Sequence, residues 1–478
     1  MLRHTKIVAT LGPASSSPEV LERLVRAGVD VVRMNFSHGT ADDHRVRAEG
    51  IRAAAAKVGR TVGILGDLQG PKIRVGKFEQ GKIALHVGDN FVLDAQCPLG
   101  NTERVGLDYK DLPKDVAAGD ILLLDDGRLK LEVVAVRGHE IHTRVLVGGV
   151  LSNNKGINRQ GGGLTAPALT AKDMDDIRTA AEIGVDFVAV SFPKSAADMT
   201  MARQLLRAAG SSALLIAKIE RVEAVDNMAE ILDVSDGVMV ARGDLAVEVG
   251  DASVPALQKR MIRLARDKNK LTITATQMME SMIHSPVPTR AEVSDVANAV
   301  LDGTDAVMLS AETAAGSYPV ETVESMARIC VEAERSAQIT LDREFLDRVF
   351  TRIDQSIAMA AIWTASHLKV KAIAALTQTG STALWMSRLN CGVPIYALTP
   401  DATAVGHMAL YRGVCPLPMQ QPQAADRDRL LAEAEQLLID RGVVELGELI
   451  ALTIGEPIGS TGGTNTLKIV RVGEHQIN

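Results

Sequence analysis

A lysine and a glutamate, Lys218 and Glu220, lie two positions apart at the end of an apolar run. The run, Leu214–Ala217, is short and uninterrupted, which is typical of a strand buried on both faces of a parallel sheet. Side chains alternate along a strand, so Lys218 and Glu220 are predicted to point the same way. A cation and an anion then lie side by side where a buried strand ends. A solvated Lys–Glu pair on a strand edge is the alternative.

Other predicted strands also end in polar side chains. Together the strand ends supply Arg33, Asn35, Asp67, Lys218, Glu220, Asp244, Thr276 and Ser310. Packing alone does not explain so many polar residues at one end of apolar strands, so the set predicts a functional site.

Two of these residues, Glu220 and Asp244, end neighbouring predicted strands. Two carboxylates with few protein partners suit Mg²⁺, which keeps several waters and takes further oxygen ligands from a substrate. Ion pairs with Lys218 or Arg221 are the structural alternative.

The positive charges of Lys218 and Arg33 suit a phosphoryl group in transfer. Gly243 and Asp244 are predicted to open a short helix whose amides bind a carboxylate or a phosphate. The set therefore predicts a small phosphorylated or carboxylated substrate.

Eight strand–helix units position these residues. The predicted strands are Lys6–Thr10, Asp30–Phe36, Val62–Leu68, Phe187–Ser191, the run from Leu214, Gly237–Ala241, Leu271–Ala275 and Ala306–Leu309. Eight such units over about 240 residues predict a (β/α)₈ barrel, whose active site lies at the carboxyl ends of the strands. A doubly wound sheet is the alternative, but Thr-Leu-Gly-Pro after the first strand lacks its GxGxxG turn.

Two further units complete the predicted α/β architecture. Short alternating strands and turn signals from 71 to 167 predict a small β-barrel domain inserted after strand 3. Within it, Asn153–Leu164 is expected to be a flexible return linker. The barrel then comprises 1–70 and 168–342, and 343–478 is expected to form an open α/β domain.

Composition limits the possible functions. The chain has 478 residues, 46% of them hydrophobic, and a net charge of −7. This acidic balance gives no basic surface for nucleic acid, and no apolar run reaches the roughly 18 residues of a membrane span. The four cysteines are far apart, so neither zinc nor a disulfide framework is indicated, and a cytoplasmic protein is expected.

A long series of motifs resembles pyruvate kinase. They are Val-Arg-Met-Asn-Phe-Ser-His-Gly (32–39), Gly-Asp-Leu-Gln-Gly-Pro-Lys-Ile-Arg (66–74), Ile-Ala-Lys-Ile-Glu (216–220), Met-Val-Ala-Arg-Gly-Asp-Leu (239–245), Ala-Thr-Gln-Met-Met-Glu-Ser-Met (275–282) and the stretch 288–313. The resemblance covers nearly the whole chain and its three-part layout. It implies Mg²⁺-dependent phosphoryl transfer from phosphoenolpyruvate to ADP, which gives pyruvate and ATP in the last step of glycolysis.

The resemblance also implies roles for the catalytic residues. Lys218 would stabilise the enolate-like transition state, and Arg33 would bind phosphate. Glu220 and Asp244 would hold Mg²⁺. Thr276 and the amides of Gly243 and Asp244 would bind the substrate carboxylate, and Thr276 with Ser310 would pass a proton to the enolate.

The nucleotide site follows from the same resemblance. Arg74, and Lys155 in the return linker, would bind the nucleotide phosphates, with Asn35, Ser37 and His38 nearby. The inserted domain would close as a lid. Asp125 and Asp126 belong either to its closing face or to a simple turn.

Two stretches depart from the better-known pattern. Leu68-Gln69 and Lys72 replace a Thr-Lys and a Glu of potassium-requiring members. There Asn35, Ser37 and Asp67 would hold a monovalent cation; here the ammonium of Lys72 is expected to replace it, so K⁺ is predicted not to be required. A solvated hinge role for Lys72 is the alternative. Arg159–Leu164 is Gly-rich and has no assigned role.

Two hydroxyl-rich loops mark the C-terminal unit. They supply the predicted phosphate-binding residues Thr377, Thr379, Gly380, Ser381, Thr382, Thr461, Gly462, Gly463 and Thr464. The resemblance implies an allosteric site here, and hence a regulatory role for the C-terminal domain 343–478. Gln378 and Ser381 occupy positions where cations are expected in members selective for a bisphosphate, so a sugar or nucleotide monophosphate is favoured. An ordinary capped turn is the alternative.

Three functions are compatible with these residues: a pyruvate kinase, a Mg²⁺-dependent lyase acting on pyruvate-like enolates, and a non-catalytic phosphate sensor. Arg74 and Lys155 oppose the lyase, which needs no nucleotide, and the intact Lys218, Glu220 and Asp244 set opposes the sensor. The expected partners are phosphoenolpyruvate, pyruvate, ADP and ATP, and the resemblance suggests a homotetramer.

Overall fold

The computed structural model describes residues 3–336, 349–389, 391–420, 427–458 and 462–474. The chain begins with strands and helices in alternation: β1 (Lys6–Thr10), α1 (Pro18–Ala27), β2 (Val31–Asn35), α2 (Ala41–Val58) and β3 (Gly63–Asp67). Ser17 caps α1 by accepting a hydrogen bond from the Val20 amide, and Gly28 ends this helix at a φ of 114°.

An all-β unit follows β3. Its elements are β4 (Lys82–Leu85), β5 (Asn90–Asp94), β6 (Arg104–Gly106), α3 (Leu112–Asp115), β7 (Ile121–Leu124), β8 (Leu129–Arg137), β9 (Glu140–Val147), β10 (Gly149–Ser152) and β11 (Ile157–Arg159). The strands of the predicted small barrel form two sheets. One has six strands in the order β11-β7-β8-β9-β5-β6, and the other has two, β10-β4. Both enclose one apolar core. The expectation of a flexible linker over Asn153–Leu164 is wrong at β11, which pairs antiparallel with β7.

The barrel elements resume after this unit. The strands are β12 (Phe187–Val190), β13 (Leu214–Ile219), β14 (Gly237–Ala241), β15 (Leu271–Ala275) and β16 (Ala306–Leu309). The helices are α4 (Ala171–Ile183), α5 (Ala196–Ala208), α6 (Val222–Asp226), α7 (Met228–Val234), α8 (Arg242–Val249), α9 (Val254–Asp267), α10 (Arg290–Leu301), α11 (Ala311–Ala314) and α12 (Pro319–Ser336). Short 3-10 helices cover Pro13–Ser15, Asp251–Ser253 and Glu280–Ile283.

Eight parallel strands close the barrel in the order β1-β16-β15-β14-β13-β12-β3-β2. Strand pairs such as Asn35 with Asp67 and Lys218 with Met239 fix the register. All parallel strands end at the same rim, so the predicted (β/α)₈ barrel is confirmed and its polar strand ends meet there.

The C-terminal unit is an open sheet with helices on its faces. Its elements are α13 (Ile353–Leu368), β17 (Ala372–Leu376), α14 (Ser381–Leu389), β18 (Ile395–Thr399), α15 (Ala402–Met408), β19 (Val414–Pro418), α16 (Arg427–Asp440), β20 (Leu449–Gly455) and β21 (Thr464–Arg471). The strand order is β19-β18-β17-β20-β21, and β21 is antiparallel to β20.

This unit packs against the amino ends of the barrel strands. The Lys6 ammonium, at the start of β1, donates to the Val414 carbonyl, and the Arg388 guanidinium on α14 pairs with Asp305 just before β16. In the described part of the chain, no helix has the length and apolar character needed to cross a membrane.

Candidate active site

Lys218 lies at the centre of the barrel mouth. Its ammonium is 3.0 Å from Glu220 Oε1 and 3.3 Å from Asp67 Oδ1, and it donates a 2.7 Å hydrogen bond to Ser191 Oγ. Burial disfavours the charged lysine, but the carboxylates of Asp67 and Glu220 outweigh it and raise the pKa of Lys218. Lys218 is therefore a fixed ammonium pointing the same way as Glu220, as the strand alternation predicts.

Asp67 joins Lys218 to Arg33. Its Oδ2 accepts a 2.6 Å hydrogen bond from Arg33 Nε, and its buried Oδ1 lies 3.3 Å from the Lys218 ammonium. Burial opposes ionisation, yet Lys218 and Arg33 hold the pKa of Asp67 below its usual value. Arg33 also donates to Thr10 Oγ1, so the guanidinium is held from two sides.

Glu220 and Asp244 meet at the carboxyl ends of β13 and β14. Glu220 is 1% exposed, and its Oε2 accepts a 2.9 Å hydrogen bond from the Phe192 amide. Burial raises the pKa of Glu220, Lys218 opposes that rise, and the negative charge of Asp244 adds to it. Two oxygen donors that repel each other at one rim suit a divalent cation such as Mg²⁺, so the residues fit the predicted metal.

The rim beside Asp244 offers hydrogen-bond donors. Helix α8 begins there, and the Gly243 amide donates a 2.8 Å hydrogen bond to Thr276 Oγ1. Thr276 and Gln277 have φ angles of 68° and 55°. A left-handed conformation is strained for a β-branched residue such as threonine, and such strain concentrates at functional sites. Ser310, at the end of β16, is positioned by its own amide, which donates to Glu312 Oε2.

The predicted nucleotide residues fall into two groups. Asn35 pairs with Asp67 between β2 and β3, and its Oδ1 accepts a hydrogen bond from the Ser37 amide, which places both residues at the rim. His38 follows them and is exposed.

Arg74 and Lys155 lie on adjoining segments of the inserted unit. The Val75 amide donates to the Lys155 carbonyl, and Arg74 Nη1 donates to the Asn154 carbonyl. The Lys155 ammonium is 2.7 Å from Asp125 Oδ1. The structure thus places Arg74 and Lys155 on paired segments of the lid, where each cation has its own partner.

Lys72 bridges the lid and the barrel. Its ammonium donates a 3.0 Å hydrogen bond to Asp244 Oδ1 and is 3.7 Å from Asp126 Oδ1. Burial opposes the charge, but Asp244 raises the pKa of Lys72. Among the described residues, no hydrogen bond or ion pair joins Lys72 to the three residues of the expected monovalent-cation site, Asn35, Ser37 and Asp67.

A cleft of about 600 Å³ separates the lid from the rim. Its lining includes Lys72, Asp126, Lys130 and Gln160 on the lid side and Gly243, Asp244, Glu248 and Gln277 on the barrel side. Gln160 belongs to Arg159–Leu164, the stretch without an assigned role. In that stretch Arg159 pairs with Asp120, and the Gly163 amide donates to Glu223 on α6.

The predicted effector loops also meet. Thr377, Gln378, Thr379, Ser381, Thr382, Gly462, Gly463 and Thr464 line one small cavity. The hydroxyls of Thr382 and Thr464 are 2.6 Å apart, and the Gly380 amide, at a φ of 82°, donates to Thr377 Oγ1. Thr461 lies outside the described residues.

Sequence reasoning missed Ser191 and the Phe192 amide, which hold Lys218 and Glu220. Ser191 follows β12 at the same rim as the other polar strand ends, and that position is the signal that could have found it. The Phe192 amide left no signal, because its role depends on a backbone φ of 55°.

One other group of potential metal ligands occurs in the described residues, Asp94, His139 and Glu140 in the inserted unit. Arg104 donates to both of its carboxylates, which accounts for their proximity without a metal.

Comparison with known proteins agrees with this geometry. The family model "Pyruvate kinase, barrel domain" matches residues 2–323, and "Pyruvate kinase, alpha/beta domain" matches 355–470. "Pyruvate kinase II" of Salmonella typhimurium is 54% identical over 477 residues, covering 98% of this chain and 99% of the relative. Pyruvate kinases of Haemophilus influenzae (55%, covering 95% and 96%) and Mycobacterium tuberculosis (41%, covering all of both chains) are also similar. The chain therefore belongs to the pyruvate kinase family and is a phosphotransferase.

Proposed function

We propose that this enzyme transfers the phosphoryl group of phosphoenolpyruvate to ADP in the last step of glycolysis. The bond from phosphorus to the enol oxygen breaks, a bond from phosphorus to a β-phosphate oxygen of ADP forms, and the enolate carbon takes a proton to give pyruvate. The observation that carries the proposal is the Lys218 ammonium, held between Asp67 and Glu220 beside Asp244.

The fixed cations Lys218 and Arg33 stabilise the negative charge that develops during phosphoryl transfer. Lys218 stabilises charge on the enolate oxygen and on the phosphoryl group in flight, and Arg33 binds that phosphoryl group. Because Asp67 and Ser191 orient these cations before substrate arrives, little reorganisation is needed during transfer. Glu220 and Asp244 would hold Mg²⁺, which supplies Lewis-acid stabilisation of oxyanions when bound.

Residues that follow β14, β15 and β16 bind the substrate carboxylate and protonate the enolate. The Thr276 hydroxyl and the Gly243 and Asp244 amides hold the substrate carboxylate. Thr276 and Ser310 pass a proton, through water, to the enolate carbon once the phosphoryl group has left. Arg74 and Lys155 on the lid bind the nucleotide phosphates, with Asn35, Ser37 and His38 nearby, and lid closure excludes water.

The decisive assay measures pyruvate formation from phosphoenolpyruvate with and without ADP. A pyruvate kinase forms pyruvate with ADP and makes ATP in equal amount. Pyruvate formation that does not depend on ADP would indicate lyase chemistry. If no pyruvate forms with or without ADP, the protein is a phosphate sensor.

The metal assignment has its own test. Glu220→Gln and Asp244→Asn each remove one of very few protein ligands, so the Mg²⁺ concentration for half-maximal rate should rise steeply in both. If both titrations match the wild type, Glu220 and Asp244 are not the metal ligands.

K⁺ is expected to be dispensable, because Lys72 places a tethered ammonium at the cleft. The persistence of Asn35, Ser37 and Asp67 together at the rim is the feature that opposes this expectation. Turnover is measured with tetramethylammonium as the only monovalent cation, with and without KCl. Near-full activity without K⁺, and a K⁺ requirement created by Lys72→Glu, are expected. A wild-type rate that rises by orders of magnitude with K⁺ would refute the idea.

The C-terminal cavity is proposed to bind a sugar or nucleotide monophosphate that activates the enzyme. Its hydroxyls and the start of α14 offer donors suited to one phosphate. A homotetramer remains a prediction from the resemblance, and a cytoplasmic location remains a prediction from the composition.

A further inference from the structure

Lys72 is held where the lid and the barrel approach each other. It follows Gln69–Pro71 at the start of the inserted unit, and 25% of its side chain is exposed. Its stem lies against Gly156, where a Cβ would come within 3.1 Å of Lys72 Cε. A glycine at 156 therefore leaves room for the stem and lets the ammonium reach Asp244.

The bridge that Lys72 forms has unequal ends. On the barrel side, the 3.0 Å hydrogen bond reaches Asp244, whose side chain is 22% exposed; on the lid side, Asp126 is 3.7 Å away and 69% exposed. Asp125 and Asp126 both adopt a positive φ, 51° and 55°. Such strain at consecutive non-glycine residues indicates a turn held in place by its contacts. The Lys72–Asp244 contact is the stronger end, because it is the shorter and the less solvated.

Charge at the mouth is balanced with Lys72 included. Three carboxylates, Asp67, Glu220 and Asp244, face three cations. The cations are Arg33, Lys218 and Lys72, joined to those carboxylates by ion pairs. A divalent cation on Glu220 and Asp244 would add two positive charges next to the ammonium in a partly desolvated cleft, which is unfavourable. The Lys72 ammonium and a bound metal ion therefore compete for the negative charge of Asp244.

We propose that Lys72 competes with the divalent cation for Asp244, and that metal binding releases the lid turn 125–128 from the barrel. The proposal rests on the proposed metal role of Glu220 and Asp244. It differs from a substitute for K⁺, because it concerns the affinity of the protein alone for a divalent ion. The displaced ammonium keeps Asp126 as a partner and becomes available to substrate phosphates.

Direct metal binding tests the competition. Binding of Mn²⁺, an EPR-visible stand-in for Mg²⁺, is measured on the full-length protein without substrates. Lys72→Met should bind Mn²⁺ roughly tenfold more tightly than the wild type, because a cation that opposes the ion is gone. Lys130→Met is the matched control: it removes a lysine from the same cleft, and its affinity should equal the wild-type value.

Glu220→Gln separates the two ways of failing. If this variant binds Mn²⁺ like the wild type, the metal assignment itself is wrong. If it binds weakly while Lys72→Met shows unchanged or weaker affinity, the metal site stands and the competition is refuted. If Lys72→Met does not fold, Mn²⁺ affinity is measured on Lys72→Gln instead. This variant also lacks the ammonium but keeps a polar side chain, and the same outcomes apply.

Hydrogen exchange tests the link to the lid. In the wild type, Mn²⁺ should speed amide exchange in the turn 125–128, because Lys72 leaves Asp244. In Lys72→Met, exchange there should already be fast and should not respond to Mn²⁺. Asp126→Asn should speed exchange without tightening Mn²⁺ binding, because the Lys72–Asp244 contact is kept. If amide exchange in the turn 125–128 changes neither with Mn²⁺ nor in these variants, the claim that metal binding releases this turn is refuted.

Discussion

At the scale of single residues, the barrel mouth works by holding charges in place. The Lys218 ammonium contacts Asp67, Ser191 and Glu220, and Asp67 in turn holds Arg33. A network in which each member fixes another gives the cations one orientation before substrate binds. Preorganised charges of this kind stabilise a transition state more than mobile charges do, because no reorganisation is needed.

The first prediction concerns Lys218. Lys218→Met should lower kcat by about 10²–10³-fold, the usual range for removing one preorganised electrostatic group. The measurement is steady-state pyruvate formation at saturating Mg²⁺, with Mn²⁺ binding as the control for an intact metal site. Phosphoryl transfer near the wild-type rate would remove Lys218 from the mechanism.

Part of this network could be predicted from the sequence. The spacing of Lys218 and Glu220 predicts a shared face, because strand alternation is a local property. The contact between Lys72 and Asp244 could not be predicted, because it joins residues 172 positions apart across two structural units. Which cation neutralises which carboxylate depends on how the lid sits on the barrel.

At the scale of elements, one buried carboxyl links the lid to the rim. Glu248 on α8 is 6% exposed; its Oε2 accepts a hydrogen bond from the Val222 amide on α6, and its Oε1 is 3.4 Å from Asn158 Nδ2 on β11. Burial raises the pKa of Glu248 to about 7; Arg221 opposes the rise and Glu223 adds to it. The strand β11 escaped prediction because three residues give no periodic pattern and its partner β7 lies well before it in the chain.

The second prediction follows from the sign of that shift. Between the unfolded pKa of about 4.5 and the folded pKa of about 7, the folded protein binds the proton more tightly. The contribution of Glu248 to the free energy of unfolding should therefore fall as pH rises through this window, by up to about 3 kcal/mol, and stay level above it. Urea unfolding of Glu248→Gln should lack that slope, whereas Glu49→Gln, an exposed control on α2, should keep it. If the free energy of unfolding depends on pH equally in Glu248→Gln and the wild type, the raised pKa of Glu248 is wrong.

At the scale of the whole molecule, α14 connects the predicted effector cavity to the barrel. Its first residues, Ser381 and Thr382, line that cavity, and Arg388 near its other end forms a buried ion pair with Asp305. Asp305 immediately precedes β16, whose carboxyl end carries Ser310 at the rim. Helix α14, the Arg388–Asp305 pair and strand β16 thus form a continuous path between the two sites. The three-part layout is predictable from the rhythm of strands and helices, but this path is not, because it depends on how the C-terminal sheet docks.

The third prediction tests that path with two variants of α14. Thr382→Ala should weaken binding of glucose 6-phosphate or AMP, used as probe monophosphates, because it removes a hydroxyl from the cavity. Arg388→Met should leave that binding nearly intact, because Arg388 lies at the far end of the helix. It should nevertheless abolish the effector-induced fall in the phosphoenolpyruvate concentration at half saturation, because the effector can no longer bias the barrel.

Removing Arg388 also leaves the buried Asp305 carboxylate without its paired cation. This should lower the free energy of unfolding by about 3–5 kcal/mol, so unfolding is measured in parallel. Arg429→Met, which removes an exposed arginine from α16 in the same unit, is the control for a general loss of positive charge. The comparison is made below the unfolding temperature of Arg388→Met, with effector binding followed by calorimetry and activation by phosphoenolpyruvate saturation curves. If Arg388→Met is folded, binds the probe and is activated like the wild type, coupling does not pass through the Arg388–Asp305 pair. Loss of probe binding in Arg388→Met would instead show that the Arg388–Asp305 pair shapes the effector cavity. The pair would then act through the packing of α14, and coupling through β16 would be refuted.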